Sequence, residues 1–216
     1  EIERLVTRTG LQAWHAASDS AASGGSPVTI APDKSINGRD LECESACPTF
    51  ATGVINGLPA FSFDGTDDPL AWTGSLSTKH IFIVAAYEET EFPTVGDPSE
   101  YAGLVSGIDD TNLGVLVGNP SSTKFYDFNY EGVGDYVYRR RDVQYAENNL
   151  QASFNSELSI FEVSLSTGWG LDGIQIGRDR EHTNRKWKGY VCEDLFFDRV
   201  LSYAERSDLY QYFAMK

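Results

Sequence analysis

The sequence predicts an all-β fold, a two-sheet antiparallel sandwich closed by one short C-terminal helix, and three observations predict it. From Tyr190 to Phe197 the residues alternate, so Val191, Leu195 and Phe197 share one face with Glu193 while Cys192 and Phe196 lie on the other. Both faces are mostly apolar, as in a strand covered on both sides. After Leu201 the period changes: Ser202 and Glu205 have capping-box spacing, and Ala204, Leu209 and Phe213 recur at helical intervals. Finally, 20 glycines, 12 phenylalanines and 11 tyrosines against a single methionine suit many short strands joined by tight turns, not a helical bundle.

Taken in order, Leu11 to His15 reads as the first strand and Ser18 to Ser26 as a small-residue loop. Val28 to Ile30 is a short second strand. Arg39 to Glu42 and Val54 to Ile55 flank a cysteine-bearing turn, and Ala60 to Phe63 alternates up to the turn signal Asp64-Gly65. Ile81 to Tyr87 is the most apolar run and reads as a central strand. Tyr101 to Ile108, Leu113 to Val117 and Lys124 to Tyr130 follow at antiparallel hairpin spacing. Leu158 to Leu165, Ile174 to Gly177 and the strand through Phe197 complete the set, and the terminal helix is the one helix expected.

A chain of 216 residues is within the range of one large all-β domain, and we read residues 1–216 as one. The formal net charge of −15 disfavours DNA, RNA or an anionic membrane as main partner, because neutralising phosphates takes lysine and arginine. The lack of an apolar run of membrane-spanning length gives no expectation of membrane insertion. Of the three cysteines, Cys43 and Cys47 are close enough in sequence to pair if the backbone curls, and the sequence leaves that open. Cys192 reads as a small apolar core residue. A zinc site would need His15, His80 or His182 to meet these thiols from distant segments, with no ligand spacing to support it.

The C-terminal motifs Ile176-Gly177-Arg178, Trp187-Lys188-Gly189, Glu193 to Asp198 and Leu201 to Arg206 resemble the end of a laminin-G-like, concanavalin-A-like jelly roll of bacterial and phage type. Near the N-terminus, Leu11-Gln12-Ala13-Trp14, Ala17-Ser18-Asp19, Asp33-Lys34-Ser35, Asn37-Gly38-Arg39-Asp40-Leu41, Asn56 to Ala60 and Phe61 to Asp68 resemble its opening in order and spacing. The chain departs from the pattern in having Ala31-Pro32 where a tryptophan is usual before Asp33, and Asp194 at an apolar position. The resemblance covers both ends and not the middle, roughly 88–156. It implies a jelly roll, and with it a recognition role.

Glycoside hydrolases of such folds set two or three carboxylates on one strand so that acid and nucleophile face one sugar. That spacing is absent. Glu89 and Glu91 lack an intervening aspartate, and Glu193 reads as a hydrogen-bonded structural carboxylate. The expectation is therefore a protein that is not an enzyme. Asp64, Asp67 and Asp68 could hold calcium through clustered hard oxygens, or could simply form a turn. Tyr130, Tyr136, Tyr138 and Arg139-Arg140-Arg141 form the candidate ligand or partner surface, since phenols and guanidinium planes suit sugar faces and protein interfaces alike. The competing reading pairs these arginines with nearby acids.

Two functions of different class follow. One is a non-catalytic module for carbohydrate binding or adhesion at an extracellular or virion surface. The other is a decoration or appendage subunit of a phage particle, docking the same face onto capsid or tail proteins, with an oligomer expected.

Overall fold

Alternating sequence becomes strand over most of the residues described by the computed structural model, which are 9–66, 69–90, 92–93, 101–109, 114–126, 136–145, 150 and 152–216. The first six strands are β1 (Leu11–Ala16), β2 (Ile30–Ala31), β3 (Leu41–Glu42), β4 (Thr49–Ile55), β5 (Leu58–Asp64) and β6 (Leu70–Tyr87). Then come β7 (Ala102–Ser106), β8 (Gly114–Gly118), β9 (Phe125–Tyr126), β10 (Tyr136–Arg140), β11 (Val143–Tyr145), β12 (Ser159–Ile176) and β13 (Lys188–Phe197). Helix α1 (Tyr203–Met215) ends the chain, with the capping box expected at Ser202 and Glu205. A single 3-10 turn, Ala17–Asp19, follows β1.

All pairings between these strands are antiparallel, and among the described residues the hydrogen bonding runs through one open thirteen-stranded sheet. β13 lies at its middle. On one side it pairs with β6; on the other its first half pairs with β5 (Lys188 opposite Asp64) and its second half with β1 (Phe197 opposite Leu11). β6 and β12 are each 18 residues long and run beside one another. The sequence reading broke β12 into two strands, Leu158 to Leu165 and Ile174 to Gly177. They are the two ends of one strand, separated by a register break between Ser164 and Trp169 where Gly168 takes a φ of 82°.

Alternation on β6 divides the apolar residues between two cores. Ile81, Ile83 and Ala85 enter the main core with Phe61, Phe63, Leu104, Phe161, Val163, Ile174, Trp187, Val191 and Phe196. Phe82 faces the other way and joins Leu11, Trp14, Leu195 and Phe197 beneath Leu209 and Tyr212 of α1. Each fully buried Val, Leu, Ile or Phe among them contributes about 2 kcal/mol of apolar burial.

Two details correct the sequence reading. Strict alternation would put Val191 with Leu195, yet they lie in different cores, because a β-bulge at Cys192 sets two residues of β13 against one step of β6 and exchanges the faces. Cys192 is consequently half-buried, not a core residue. Ala204, expected on the inner face of the helix, is exposed; the helix buries Leu209 and Tyr212.

Candidate functional site

The structure separates the three arginines expected to form one surface. Arg139 donates to Glu162 at 2.6 Å, and Glu162 is fully buried. Arg140 donates from Nε to Ser159 Oγ at 3.1 Å, from Nη1 to the Ala152 carbonyl at 3.1 Å and from Nη2 to Ser153 Oγ at 3.0 Å. Both guanidinium groups thus hold the chain to itself. Arg141 alone is well exposed, paired with Glu157 at 2.7 Å. Tyr136 and Tyr138 lie on β10, of which the backbone is described, and Tyr130 lies outside the described residues.

Beneath α1 two buried carboxylates, Glu162 and Glu193, each gather several donors. Glu162 accepts from His80 Nε2 at 3.0 Å, Arg139 and the Tyr210 hydroxyl at 2.9 Å. Burial opposes its charge, but the His80 bond and the charges of Arg139 and Arg206 hold its carboxyl below the usual range. Glu193 accepts from Trp14 Nε1 and the Tyr212 hydroxyl, both at 2.6 Å, and from Lys216 at 2.9 Å. The oxygens of both are committed to internal donors, and Glu193 also borders the smaller cavity described below.

A groove of about 420 Å³ lies elsewhere, bounded by Asp40, Glu42, Glu44, Pro69, Ala71, Trp72, Thr73, Ile108, Gln175 and Arg178. Strand register explains its shape. Glu42 lies opposite Ala71, Ala71 opposite Gln175, and Gln175 opposite Ser106, so these four form a row across β3, β6, β12 and β7. Residues directly opposite share a face. The small Ala71 therefore leaves a depression between Glu42 and Gln175.

One wall of the groove is rigid. Gln175 donates to Ser106 Oγ and to the carbonyls of Arg178 and Arg180, and its Oε1 accepts from Arg178 Nη2 at 3.0 Å. The Trp72 ring has the Arg39 guanidinium 5.2 Å above it. Gly74 fits against the same ring, where a Cβ would come 2.6 Å from an indole carbon.

The opposite wall is acidic and held by its backbone. Asp33, from the Asp33-Lys34-Ser35 motif, accepts from the backbone N–H groups of Trp14, Ser35 and Arg39 at 2.8–2.9 Å and from the Ser35 hydroxyl. These hydrogen bonds, led by Ser35, outweigh burial and lower its pKa. Asp40 in turn accepts from the Asp33 N–H at 2.7 Å. A disulfide joins Cys43 to Cys47, with Cα atoms 5.6 Å apart, and fixes the turn that carries Glu44. Among the described residues, the carboxylates of Glu42 and Glu44 make no hydrogen bond or ion pair, and both are exposed. Sequence reasoning missed Glu42, Glu44, Trp72 and Arg178 because they come from three segments far apart in the chain. The cysteine turn was the available signal.

A second cavity, about 220 Å³, is mostly apolar and lies between the β4–β5 hairpin and the end of α1, with Leu58, Val84, Ile160 and Phe213 in its walls and Arg141 and Lys216 among its charged residues. Cys192 also lines it. Burial and the neighbouring Glu193 push its thiol up to about 12, so it stays protonated and unreactive at neutral pH.

The calcium expectation rests on Asp64, Asp67 and Asp68. Asp64 accepts from the Thr66 N–H and hydroxyl, both at 2.6 Å, which is turn chemistry. Asp67 and Asp68 lie outside the described residues. Among the described residues no three His, Cys, Asp or Glu side chains gather as a metal site, and no helix is long and apolar enough to cross a membrane.

No protein-family model matches the chain, and no curated protein matches its sequence. Solved structures do share its fold. A Trypanosoma rangeli sialidase in complex with sialic acid superposes with a TM-score of 0.54 at 12% identity, over 97% of this chain and 34% of that one. The covalent intermediate of T. rangeli sialidase with 2,3-difluorosialic acid gives 0.53 at 13% identity with the same coverage. This chain spans about a third of the sialidase chain, so the likeness is to a part of it, and at this identity it concerns the fold alone. Neither neighbour is a phage protein, and the virion-appendage expectation gains nothing from them.

Proposed function

We propose that this chain is a non-catalytic carbohydrate-recognition module, a jelly-roll sandwich of laminin-G-like, concanavalin-A-like type, acting outside the reducing cytosol. The observation that carries this reading is the groove, in which the Trp72 indole stands near the unpartnered carboxylates of Glu42 and Glu44. An aromatic ring offers an apolar surface to the C–H face of a sugar, and carboxylates accept hydrogen bonds from its hydroxyls. A few placed polar groups in a concave wall are what orientation of a small ligand takes. The shared fold with part of a sialidase supports a carbohydrate context. The disulfide supports an oxidising compartment.

The absence of catalysis is argued from the carboxylates. Glu162 and Glu193 are buried and committed to internal donors, and the exposed acids of the groove have no charged hydrogen-bonding partner to set one apart as a general acid. The test is a glycan array probed with the wild type and with Trp72→Ala. Binding that falls at least about tenfold in the variant, with no sugar released from the panel, is the expected result, a loss of the size given by removing one aromatic anchor. An array with no bound glycan, or sugar release that Glu42→Gln or Glu44→Gln abolishes, would overturn it.

A further inference from the structure

Resting on the reading of this groove as a glycan site, we infer that it takes neutral sugars and sugars bearing a free amine, and rejects sialic acid and other carboxylated glycans. The lining holds three carboxylates, those of Asp40, Glu42 and Glu44, against one guanidinium, that of Arg178. Arg178 already faces inward: its Nε donates to the Arg180 carbonyl at 3.1 Å and its Nη2 to Gln175 Oε1 at 3.0 Å. Arg39, the other nearby cation, lies over the Trp72 ring and donates to the Gln12 carbonyl and, at 3.1 Å, to Gln12 Oε1. A ligand carboxylate entering here would meet acids first and find no uncommitted arginine fork, which is what planar, bidentate recognition of a carboxylate uses.

The surrounding field acts in the same direction. The chain carries a formal net charge of −15, so an anionic glycan is repelled during approach as well as at contact. A protonated amine instead meets Glu42 and Glu44, which have no other partner among the described residues. Neutral hydroxyls are accommodated too, more weakly, because a carboxylate accepts from any donor but most strongly from a charged one. The expected order of affinity is therefore amino sugar, then neutral sugar, then carboxylated sugar. This order differs from what the shared fold would suggest by itself, since the neighbouring structure holds sialic acid.

The experiment is an array of matched oligosaccharides in neutral, amino, sialylated and uronate forms, read at low and high salt with the wild type and with the triple variant Asp40→Asn, Glu42→Gln, Glu44→Gln. Melting curves confirm that each protein is folded; the exposed acids replaced make little contribution to folding. Wild type is expected to bind a neutral or amino form at least about tenfold better than its sialylated counterpart at low salt, with the gap narrowing as salt screens the charges. The triple variant should lose most of that gap. Preferential binding of the sialylated form by the wild type overturns this inference while leaving the glycan reading intact. So does a preference for neutral sugars that the triple variant keeps unchanged, or binding abolished by a calcium chelator, which would set a metal between these carboxylates and the sugar. Absence of binding to every glycan overturns both readings.

Discussion

Two buried histidines sit beside carboxylates and yet differ in charge, one cationic and one neutral, and the hydrogen-bond directions say why. His15 has an acceptor at each ring nitrogen: Asp194 is 2.7 Å from Nδ1 and the Arg39 carbonyl 2.8 Å from Nε2. Both nitrogens must carry hydrogen, so the ring is cationic, and although burial opposes this, the Asp194 charge and hydrogen bond raise its pKa above 6.5. His80 gives Nε2–H to Glu162 but accepts at Nδ1 the N–H of Leu201, at 3.0 Å. It is neutral; burial, with the charges of Arg206 and Arg139, lowers its pKa below 6.5 against the pull of Glu162. The contribution of His15 to stability is complete below its unfolded pKa and is lost as pH rises through the raised folded value. That of His80 is complete above its unfolded pKa and is lost as pH falls below it towards the lowered one. Denaturant midpoints taken from about pH 5 to about pH 9 should pass through a maximum, since both titrations fall in the histidine range. His15→Gln should remove the decline on the alkaline side and His80→Gln that on the acid side; a variant that leaves its limb unchanged would contradict the assignment. Of these pairs the sequence showed only the residue types. His15 and Asp194 are brought together by the pairing of β1 with β13, a long-range contact that local spacing does not record.

The hairpin β10–β11 shows how an element divides neighbouring residues of one kind. Arg140 pairs with Val143, which leaves Arg141 and Asp142 as a two-residue loop, with φ of 50° and 63°. Two successive left-handed residues match the twist of a tight hairpin but are unfavourable for arginine. Asp142 is fastened to α1 through Arg206 at 2.8 Å, while Arg141 extends outward. Arg139→Gln should therefore lower stability by about 2 kcal/mol, because it takes a cation from the buried Glu162. That corresponds to several degrees in Tm for a domain of this size. Arg141→Asn should stay within about 0.5 kcal/mol of wild type, the loss of an exposed ion pair being offset by a residue better suited to positive φ. Thermal melts of the two variants check the pair of expectations, and equal effects would refute them. In the run of three arginines, alternation already sets Arg140 opposite to Arg139 and Arg141; the parting of Arg141 from Arg139 was not legible, because it comes from the turn geometry.

For the molecule as a whole, the β character and the terminal helix were legible because alternation, turn residues and the capping box are local signals, whereas the first half of β6 and the short β11 were not read as strands. The groove was not, since the register of β3, β6, β12 and β7 assembles it from residues as distant in sequence as Glu42 and Gln175, 133 positions apart. The central place of β13 has a consequence for how the chain is made. Strands β5 and β6 follow one another in sequence, yet β13 lies between them, and among the described strands β1 pairs with β13. During synthesis β1, β5 and β6 thus emerge with hydrogen-bonding edges open until residues 188–197 are made. Folding of this kind, ruled by distant contacts, takes milliseconds to seconds and leaves edges available to wrong partners meanwhile. Nascent chains arrested on the ribosome before Lys188 should remain sensitive to protease, and protection should arise abruptly once Phe197 has cleared the exit tunnel. A gradual gain of protection from β6 onward would mean that the early strands find stable partners without it. A chain stopped before Lys188 would lack the strand on which both β1 and β5 pair, and with it the join between them and β6.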